Sequence, residues 1–345
     1  MKTLLKPNKL IKGDTVATVS SSWGGAGDAS LMWRYEQGKK NIEELFHINV
    51  IEMPHTLSGT TFTAQNPQKR AEDLMKAFLD PNIKAIISCI GGIDSIYMLP
   101  YIDFQIIKEH PKILLGYSDT TISHFMCFKA GITSFYGGAV LSDFAENVQV
   151  PSYTVTFHKK ALFSSYPIGE IEQSQAWTSE FLPWDIKNKE IARKFYTNKP
   201  YELLQGESIV TGRLIGGCMN VLELLKNTCL FPAVDEFQDS ILFLETSDTS
   251  PAPELFELWM MNYGASGILN VLKGIVFGKP YAEKYYEEYK YIIKKVLKMY
   301  HLESLPVLYN LSFGHCEPKC CIPLGVMAEI NCIQCSFSIL ESGVL

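Results

Sequence analysis

Three polar residues of the sequence, Ser118, Glu245 and His315, each lie at the end of a predicted strand. A serine hydroxyl is a poor nucleophile until a neighbouring imidazole accepts its proton, and a carboxylate then holds that imidazole in the required tautomer. The order serine, acid, histidine along the chain is that of the α/β-hydrolases, but triads occur in several orders. The three residues therefore predict a serine hydrolase only if the fold brings them together. Taken singly, Glu245 could be a solvated strand end and His315 a loop histidine.

The segment around Ser118 has the pattern of a strand, a turn and a helix. Residues 113–115 form an apolar run, Gly116 interrupts it, and apolar residues recur at helical spacing from Ile122. Asp119, Thr120 and Thr121 are residue types that cap helices. Ser118 is thus predicted at a nucleophile elbow, although Thr120 stands where G-x-S-x-G has its second glycine. The structural alternative is that Ser118 only caps the helix.

A serine hydrolase also needs hydrogen-bond donors for the negatively charged oxygen of its tetrahedral intermediate. The backbone N–H of Asp119, at the start of the predicted helix, is one candidate donor. A second candidate comes from the predicted Gly91-Gly92 turn, because glycine permits a close approach of the backbone. Both donors lie at predicted strand ends.

The elements that must position these residues alternate between strands and helices. Predicted strands over residues 15–20, 48–53, 83–90 and 113–115, with helices between them, indicate an α/β fold whose N-terminal domain is a doubly wound parallel sheet. A further strand over 208–215, ending in a Gly216-Gly217 turn, and strands over 241–244 and 274–278 indicate a C-terminal mixed α/β domain. Residues 151–205 lose this periodicity. We predict domains over 1–150 and 206–345, joined by a linker with an aromatic flap around Trp184.

The composition excludes several classes of protein. The chain has 345 residues, a net charge of -6 and a pI of about 5.7, which argues against binding to a nucleic acid polymer. Its start lacks the apolar core of a secretion signal and no run is long enough to span a bilayer, so we expect no membrane association and a cytoplasmic location. The nine cysteines are expected to be thiols. The glycine-rich segment 23–28 lacks the final glycine of a Rossmann motif, and no cofactor is predicted.

A zinc site is the competing interpretation of the C-terminal region. His315 is followed by a group of cysteines that could bind a metal ion: Cys316, Cys320, Cys321, Cys332 and Cys335. Residues 328–340, however, read as one strand, which would point Cys332 and Cys335 to opposite faces. A zinc knuckle needs a tight turn between its cysteines, so the sequence favours a site without metal.

Taken together, four stretches of the sequence resemble a known family, the serine peptidases that include LD-carboxypeptidase and the microcin C self-immunity protein. The stretches are Gly91-Gly92, Gly116-Tyr117-Ser118-Asp119-Thr120-Thr121, Leu244-Glu245-Thr246-Ser247-Asp248 and Gly314-His315. The resemblance covers nearly the whole chain. It implies Ser118 as nucleophile, Glu245 and His315 as its partners, an oxyanion hole from the amides of Gly92 and Asp119, and a homodimer.

Two further positions bear on the substrate. The resemblance implies that Trp184 stacks on a nucleobase, as in the immunity proteins. Gly91 is also predicted to contact the substrate. Cys218 departs from the asparagine expected in many relatives, which affects the expected substrate contacts rather than the triad.

The favoured function is hydrolysis of an amide bond in a small peptide or a peptide–nucleotide conjugate. The alternative within the family is an LD-carboxypeptidase that removes the terminal D-amino acid of a murein tetrapeptide. A non-catalytic protein that binds a small ligand is the alternative from another class. Such a protein would not need Ser118, Glu245 and His315 to converge.

Overall fold

The computed structural model describes residues 3–345, which form two large β-sheets with helices packed around them. The strands are β1 (Thr15–Val19), β2 (Asn49–Glu52), β3 (Ile83–Ser88), β4 (Ile113–Gly116), β5 (Phe135–Tyr136), β6 (Gly169–Glu170), β7 (Ala176–Trp177), β8 (Tyr196–Thr197), β9 (Glu202–Gln205), β10 (Ile209–Cys218), β11 (Ser240–Glu245), β12 (Gly274–Gly278), β13 (Val307–Leu311), β14 (Ile322–Pro323), β15 (Met327–Asn331) and β16 (Ser336–Ile339). The α-helices are α1 (Met32–Phe46), α2 (Gly59–Gln65), α3 (Pro67–Leu79), α4 (Phe104–Glu109), α5 (Thr121–Ala130), α6 (Ser152–Leu162), α7 (Met219–Leu225), α8 (Pro253–Ala265), α9 (Ile268–Val271) and α10 (Tyr286–Met299). Among these helices, none is long and apolar enough to cross a membrane.

The first sheet has the strand order β14-β5-β4-β3-β1-β2, and its strands run parallel except β14. Successive residues of β4 point to opposite faces. Leu114 joins a core shared with α3 and α5, whereas Ile113 and Leu115 join a core shared with α1. Every residue of β4 is buried. Apolar packing on both faces explains the uninterrupted apolar run, and the predicted doubly wound N-terminal domain is confirmed.

The second sheet has the order β6-β16-β15-β10-β11-β12-β13-β9. Its centre, β10 to β13, is parallel, and antiparallel strands complete it on both sides. The predicted C-terminal mixed α/β architecture is therefore confirmed. Ser118 follows the carboxyl end of β4 in the first sheet, and Glu245 lies at the carboxyl end of β11 in the second.

Several connections cross the predicted domain boundaries at 150 and 205, which themselves stay a prediction. Strands β6 and β9, from the predicted linker, pair with β16 and β13 of the second sheet. Strand β14 pairs with β5 of the first sheet. The linker is also more regular than predicted, because helix α6 lies within it. The flap around Trp184 is the segment 176–197, which begins at β7 and ends at β8.

The predicted turn at Gly216-Gly217 is wrong, because both glycines lie inside strand β10. Their φ angles are 151° and 150°. A Cβ atom on Gly216 would lie 1.8 Å from the carbonyl oxygen of Phe243 on the neighbouring strand. Glycine is needed here for a close approach between two paired strands rather than for a turn.

The prediction of one strand over residues 328–340 is also wrong. Strands β15 and β16 form an antiparallel hairpin, and Cys332 and Cys335 lie in its turn. The side-chain oxygen of Asn331 accepts hydrogen bonds from the backbone N–H groups of Ile333 and Gln334, both at 3.0 Å, which stabilises the turn. The alternating pattern on both sides of the turn concealed it. The spacing of the two cysteines therefore gives no reason to exclude a metal.

Candidate active site

The fold brings Ser118, His315 and Glu245 together although 197 residues separate the first two. Nε2 of His315 lies 3.0 Å from Oγ of Ser118, and Nδ1 of His315 lies 2.8 Å from Oε2 of Glu245. Ser118 follows β4 of the first sheet, and Glu245 ends β11 of the second. His315 lies on the connection from β13 of the second sheet to β14 of the first. The site is therefore formed between the two sheets.

Ser118 has the backbone geometry of an elbow rather than that of a helix cap. Its φ angle is 60°, a value that non-glycine residues rarely adopt. A single tight turn from Ser118 to Thr120 leads into α5. None of the predicted capping side chains caps this helix. Asp119 instead accepts a hydrogen bond from the backbone N–H of Ser95 at 2.9 Å.

Glu245 is completely buried, and two partners missed by sequence reasoning surround its carboxylate. The hydroxyl of Tyr136 donates to Oε1 of Glu245 at 2.5 Å and accepts from the backbone N–H of Ser118 at 3.2 Å. The thiol of Cys218 lies beside the same carboxylate, its sulfur within 4.8 Å. Tyr136 ends strand β5, next to β4, and no local pattern of the sequence marked it as part of the site. The hydroxyl of Tyr136 thus links the backbone of Ser118 to the carboxylate of Glu245 through two hydrogen bonds.

The electrostatics of the site favour a charged pair between acid and histidine. Burial alone would lower the pKa of His315, but the Glu245 carboxylate outweighs it and raises that pKa above the ordinary 6.5. Burial alone would raise the pKa of Glu245, but the imidazolium charge and the hydrogen bond from His315 hold it below its usual value. A protonated His315 is thus stabilised, as an imidazole that accepts a proton from Ser118 requires.

A second buried ion pair, between Lys319 and Asp143, contacts the Tyr117 ring that packs against His315. Nζ of Lys319 lies 3.0 Å from Oδ1 of Asp143 and 3.5 Å from the centre of the Tyr117 ring. Burial alone would lower the pKa of Lys319, but nearby acidic groups, above all the Asp143 carboxylate, outweigh it and raise that pKa. The Tyr117 ring in turn packs edge-on against His315, with 5.1 Å between ring centres. These contacts fix the orientation of the imidazole.

The predicted oxyanion donors lie close to Ser118. A Cβ atom on Gly91 would lie 3.0 Å from Oγ of Ser118, so only glycine leaves room for a substrate group beside the hydroxyl. Within residues 3–345, no hydrogen bond takes the backbone N–H of Gly92 or of Asp119. Both donors are therefore free to bind a ligand atom.

Ser118 and His315 open into a cavity of about 600 Å³, which Gly91, Gly92 and Trp184 also line. Trp184 is half-buried, and its indole stacks on Trp23 with 6.2 Å between ring centres. The guanidinium of Arg34 lies 4.5 Å from the centre of the Trp184 ring. The tryptophan thus combines packing with exposure to the cavity.

The flap is held to the rest of the molecule by Arg193. Its guanidinium forms an ion pair with Glu146, of the first domain, and another with Glu317 at 3.0 Å. Glu317 is two residues from His315. The three side chains are largely buried, at 15%, 4% and 10% exposure. One flap residue therefore bonds to both halves of the molecule.

Within residues 3–345, one group of three possible metal ligands has donor atoms within 4.8 Å of one another: Cys218, Glu245 and His315. Burial raises the pKa of Cys218 well above its ordinary value, which disfavours the thiolate that binds metals. A metal here would also displace the hydrogen bond between His315 and Glu245. In the part of the chain that the structure describes, the cysteines predicted as alternative ligands do not form such a group.

The two sheets and the converging serine, histidine and acid define a two-domain α/β protein with the arrangement of a serine hydrolase. Comparison with known proteins gives its family. Residues 16–137 match the LD-carboxypeptidase N-terminal domain, and residues 211–330 match the LD-carboxypeptidase C-terminal domain, both of peptidase family S66. The chain belongs to this LD-carboxypeptidase family. The predicted resemblance and the prediction of a serine peptidase are confirmed.

Relatives match along nearly the whole chain. YocD of Bacillus subtilis (strain 168) is 30% identical over 95% of this chain and 96% of its own length. The microcin C7 self-immunity protein MccF of Escherichia coli is 27% identical over 96% and 94%. The structure of an MccF-like protein from Streptococcus pneumoniae in complex with AMP has a TM-score of 0.87 and 32% identity, covering 95% of this chain and 98% of that one. A structure of MccF with aspartyl sulfamoyl adenosine has a TM-score of 0.86 and 26% identity, covering 99% and 100%.

Proposed function

We propose that this protein hydrolyses the amide bond of an aminoacyl or peptidyl nucleotide conjugate, with Ser118 as nucleophile. The observation that carries the proposal is the pair of contacts from His315 to Ser118 and Glu245, at 3.0 and 2.8 Å. Ser118 and His315 line a cavity, and the aromatic side chain of Trp184 lines the same cavity. A non-catalytic binding protein would not need these contacts from His315.

In the proposed reaction, Oγ of Ser118 attacks the carbonyl carbon of the substrate while Nε2 of His315 accepts its proton. The carbonyl oxygen becomes an oxyanion, and the free N–H groups of Gly92 and Asp119 bind it. His315 then gives the proton to the leaving nitrogen, and the C–N bond breaks. Water then attacks the resulting ester of Ser118 while His315 accepts its proton. His315 returns that proton to Oγ of Ser118 as the ester bond breaks and the acid is released. Glu245 stabilises the imidazolium in both halves of the reaction.

The nucleotide part of the substrate is assigned to Trp184. Its indole faces a cavity that also contains Ser118, and a nucleobase stacked on an aromatic side chain gains about 1–3 kcal/mol. The neighbours solved with AMP and with aspartyl sulfamoyl adenosine support this assignment by similarity. The second candidate is a murein tetrapeptide, because the matched family is named for LD-carboxypeptidase.

The direct test is to assay purified protein against processed microcin C and against murein tetrapeptide. We expect cleavage of the conjugate into its amino acid and nucleotide parts. Release of D-alanine from the tetrapeptide, with no cleavage of the conjugate, would support the second candidate. Binding of either compound without any turnover would favour the binding-protein alternative.

We further propose a cytoplasmic homodimer. All nine cysteines are unpaired, as is usual in a reducing compartment. The dimer rests on the resemblance alone. Light scattering on the purified protein and fractionation of cells test the two statements separately.

A further inference from the structure

The charged side chains that line the cavity differ in whether they have partners. Asp94 is paired with Arg70 at 2.7 Å, and Glu317 is paired with Arg193. Glu180 accepts a hydrogen bond from the backbone of Lys194. These carboxylates are already neutralised or hydrogen-bonded in the absence of any ligand.

The cavity's arginines are also occupied. Arg193 bonds to two glutamates, and Arg34 donates to the carbonyl of Leu141 and to the side chain of Asn147 at 2.7 and 2.9 Å. Asp248 is the exception. It lines the cavity and is exposed, and within residues 3–345 its carboxylate has no ion pair or hydrogen bond.

Asp248 lies on the side of the cavity where the chemistry takes place. It follows Glu245 by three residues, directly after β11. Burial, Glu245 and Lys319 have larger effects on the pKa of His315, and the Asp248 carboxylate adds a smaller effect that raises this pKa, so it lies within electrostatic reach of the imidazole. The aromatic group of Trp23 and Trp184, by contrast, comes from the first domain and the flap.

We propose that Asp248 binds an ammonium group on the acyl part of the substrate. This inference rests on the proposed function, because it assumes that the acyl part lies beside Ser118 and His315. An unpaired carboxylate facing a partly enclosed cavity attracts a cation and repels an anion, and a charge-assisted hydrogen bond to an ammonium group is among the stronger polar contacts. The ammonium group has two possible sources. One is the α-amino group of an aminoacyl conjugate, and the other is the side-chain amine of a diamino acid, such as occurs in murein peptides.

The test measures binding of aminoacyl sulfamoyl adenosines by calorimetry, in a Ser118→Ala background so that turnover plays no part. Norleucyl sulfamoyl adenosine and its N-acetyl derivative differ in the α-ammonium group. Lysyl and norleucyl sulfamoyl adenosine differ in the side-chain ammonium group. We expect at least one pair to show about tenfold tighter binding of the probe with the additional ammonium group. The pair that does so identifies the source.

Adding Asp248→Asn should reduce that preference to about twofold or less. Asp235→Asn is the matched control, since Asp235 is an exposed carboxylate outside the cavity, and it should leave the preference unchanged. A preference that survives Asp248→Asn, the absence of any preference before it, or the absence of binding would overturn the proposal. If the Ser118→Ala protein binds the probes with an Asp248-dependent preference but the wild type hydrolyses no conjugate, the proposed function fails and the assignment of Asp248 stands.

Discussion

The cluster of Ser118, His315 and Glu245 and the neighbouring flap contribute to the same cavity by different means. Ser118 and Glu245 lie at the ends of strands whose residues are buried, and Tyr136 and Lys319 brace the cluster from within the protein. The flap has only two-residue strands, and several of its apolar side chains are exposed, among them Phe181 and Ile186. The positions that chemistry requires are thus fixed by the core. Trp184, the residue proposed to bind the nucleobase, lies instead on a segment with little regular structure of its own.

The largest effect should come from removing the nucleophile. Ser118→Ala keeps the Cβ atom and the unusual φ angle, so the protein should stay folded while hydrolysis falls by about 10⁴-fold or more. Steady-state assays and thermal melts test both parts, with Ser266→Ala as a control at an exposed serine outside the cavity. Near-normal turnover would rule out the proposed mechanism. EDTA should leave the wild type unaffected, and loss of activity that zinc restores would instead implicate the group with Cys218.

Removing the acid should give a smaller loss and a shift in pH dependence. His315 must be neutral to accept the proton of Ser118, and its pKa is raised, so activity should rise with pH across a midpoint above 6.5. Glu245→Gln removes the charge that raises this pKa. The midpoint should therefore move to lower pH, while kcat/KM at the plateau falls by about 10²–10⁴-fold. An unshifted midpoint in the pH profile of kcat/KM would mean that another group controls the acid limb.

Changing the flap should affect substrate choice more than chemistry. Trp184→Ala should lower kcat/KM for an aminoacyl–nucleotide conjugate by about tenfold, because the stacking energy is lost. A murein peptide has no base and should be barely affected. Trp177→Ala, in the same flap but outside the cavity, is the matched control. Equal losses on both substrates together with a lower melting temperature would show that Trp184 serves packing alone.

The smallest effect is expected from loosening the flap. Arg193→Met removes the cation paired with Glu146 and one of the two cations beside Glu317, since Lys319 stays 3.6 Å from that carboxylate. The loss disfavours the attached position of the flap. Trypsin should then cut after Lys187 and Lys189 several times faster, with little change in melting temperature. Arg213→Met removes an ion pair with Glu341 elsewhere in the protein and should not change the cleavage rate. Equal rates in both variants would show that Arg193 does not hold the flap.

The sequence indicated those parts of the site that local patterns encode. The apolar run before Gly116 and the helical spacing after Ile122 are local, so the strand, elbow and helix around Ser118 were predictable. The Gly216-Gly217 pair was misread because the same residue type serves turns and close strand pairing, and only the position of Phe243 decides between them. The turn after Asn331 was not predicted, because residues that alternate between buried and more exposed positions continue on both sides of it.

Other parts of the site depend on contacts between distant segments and could not be predicted. The hydroxyl of Tyr136 reaches Glu245 across 109 residues of sequence, and no local pattern marks it. Arg193 lies in a segment without periodicity, yet its partners Glu146 and Glu317 are 47 and 124 residues away in the sequence. Asp248 was part of a recognised stretch, but its lack of a partner is visible only when the surrounding charges are known.

The connection that carries His315 begins in one sheet and ends in the other. It leaves β13 at Leu311 and enters β14 at Ile322, where it pairs with β5. A hinge motion between the two sheets would therefore pull this connection from both ends and displace the imidazole. The position of the imidazole therefore depends on how the two sheets are aligned, and we expect activity to be lost at a strain far smaller than the strain that unfolds either sheet.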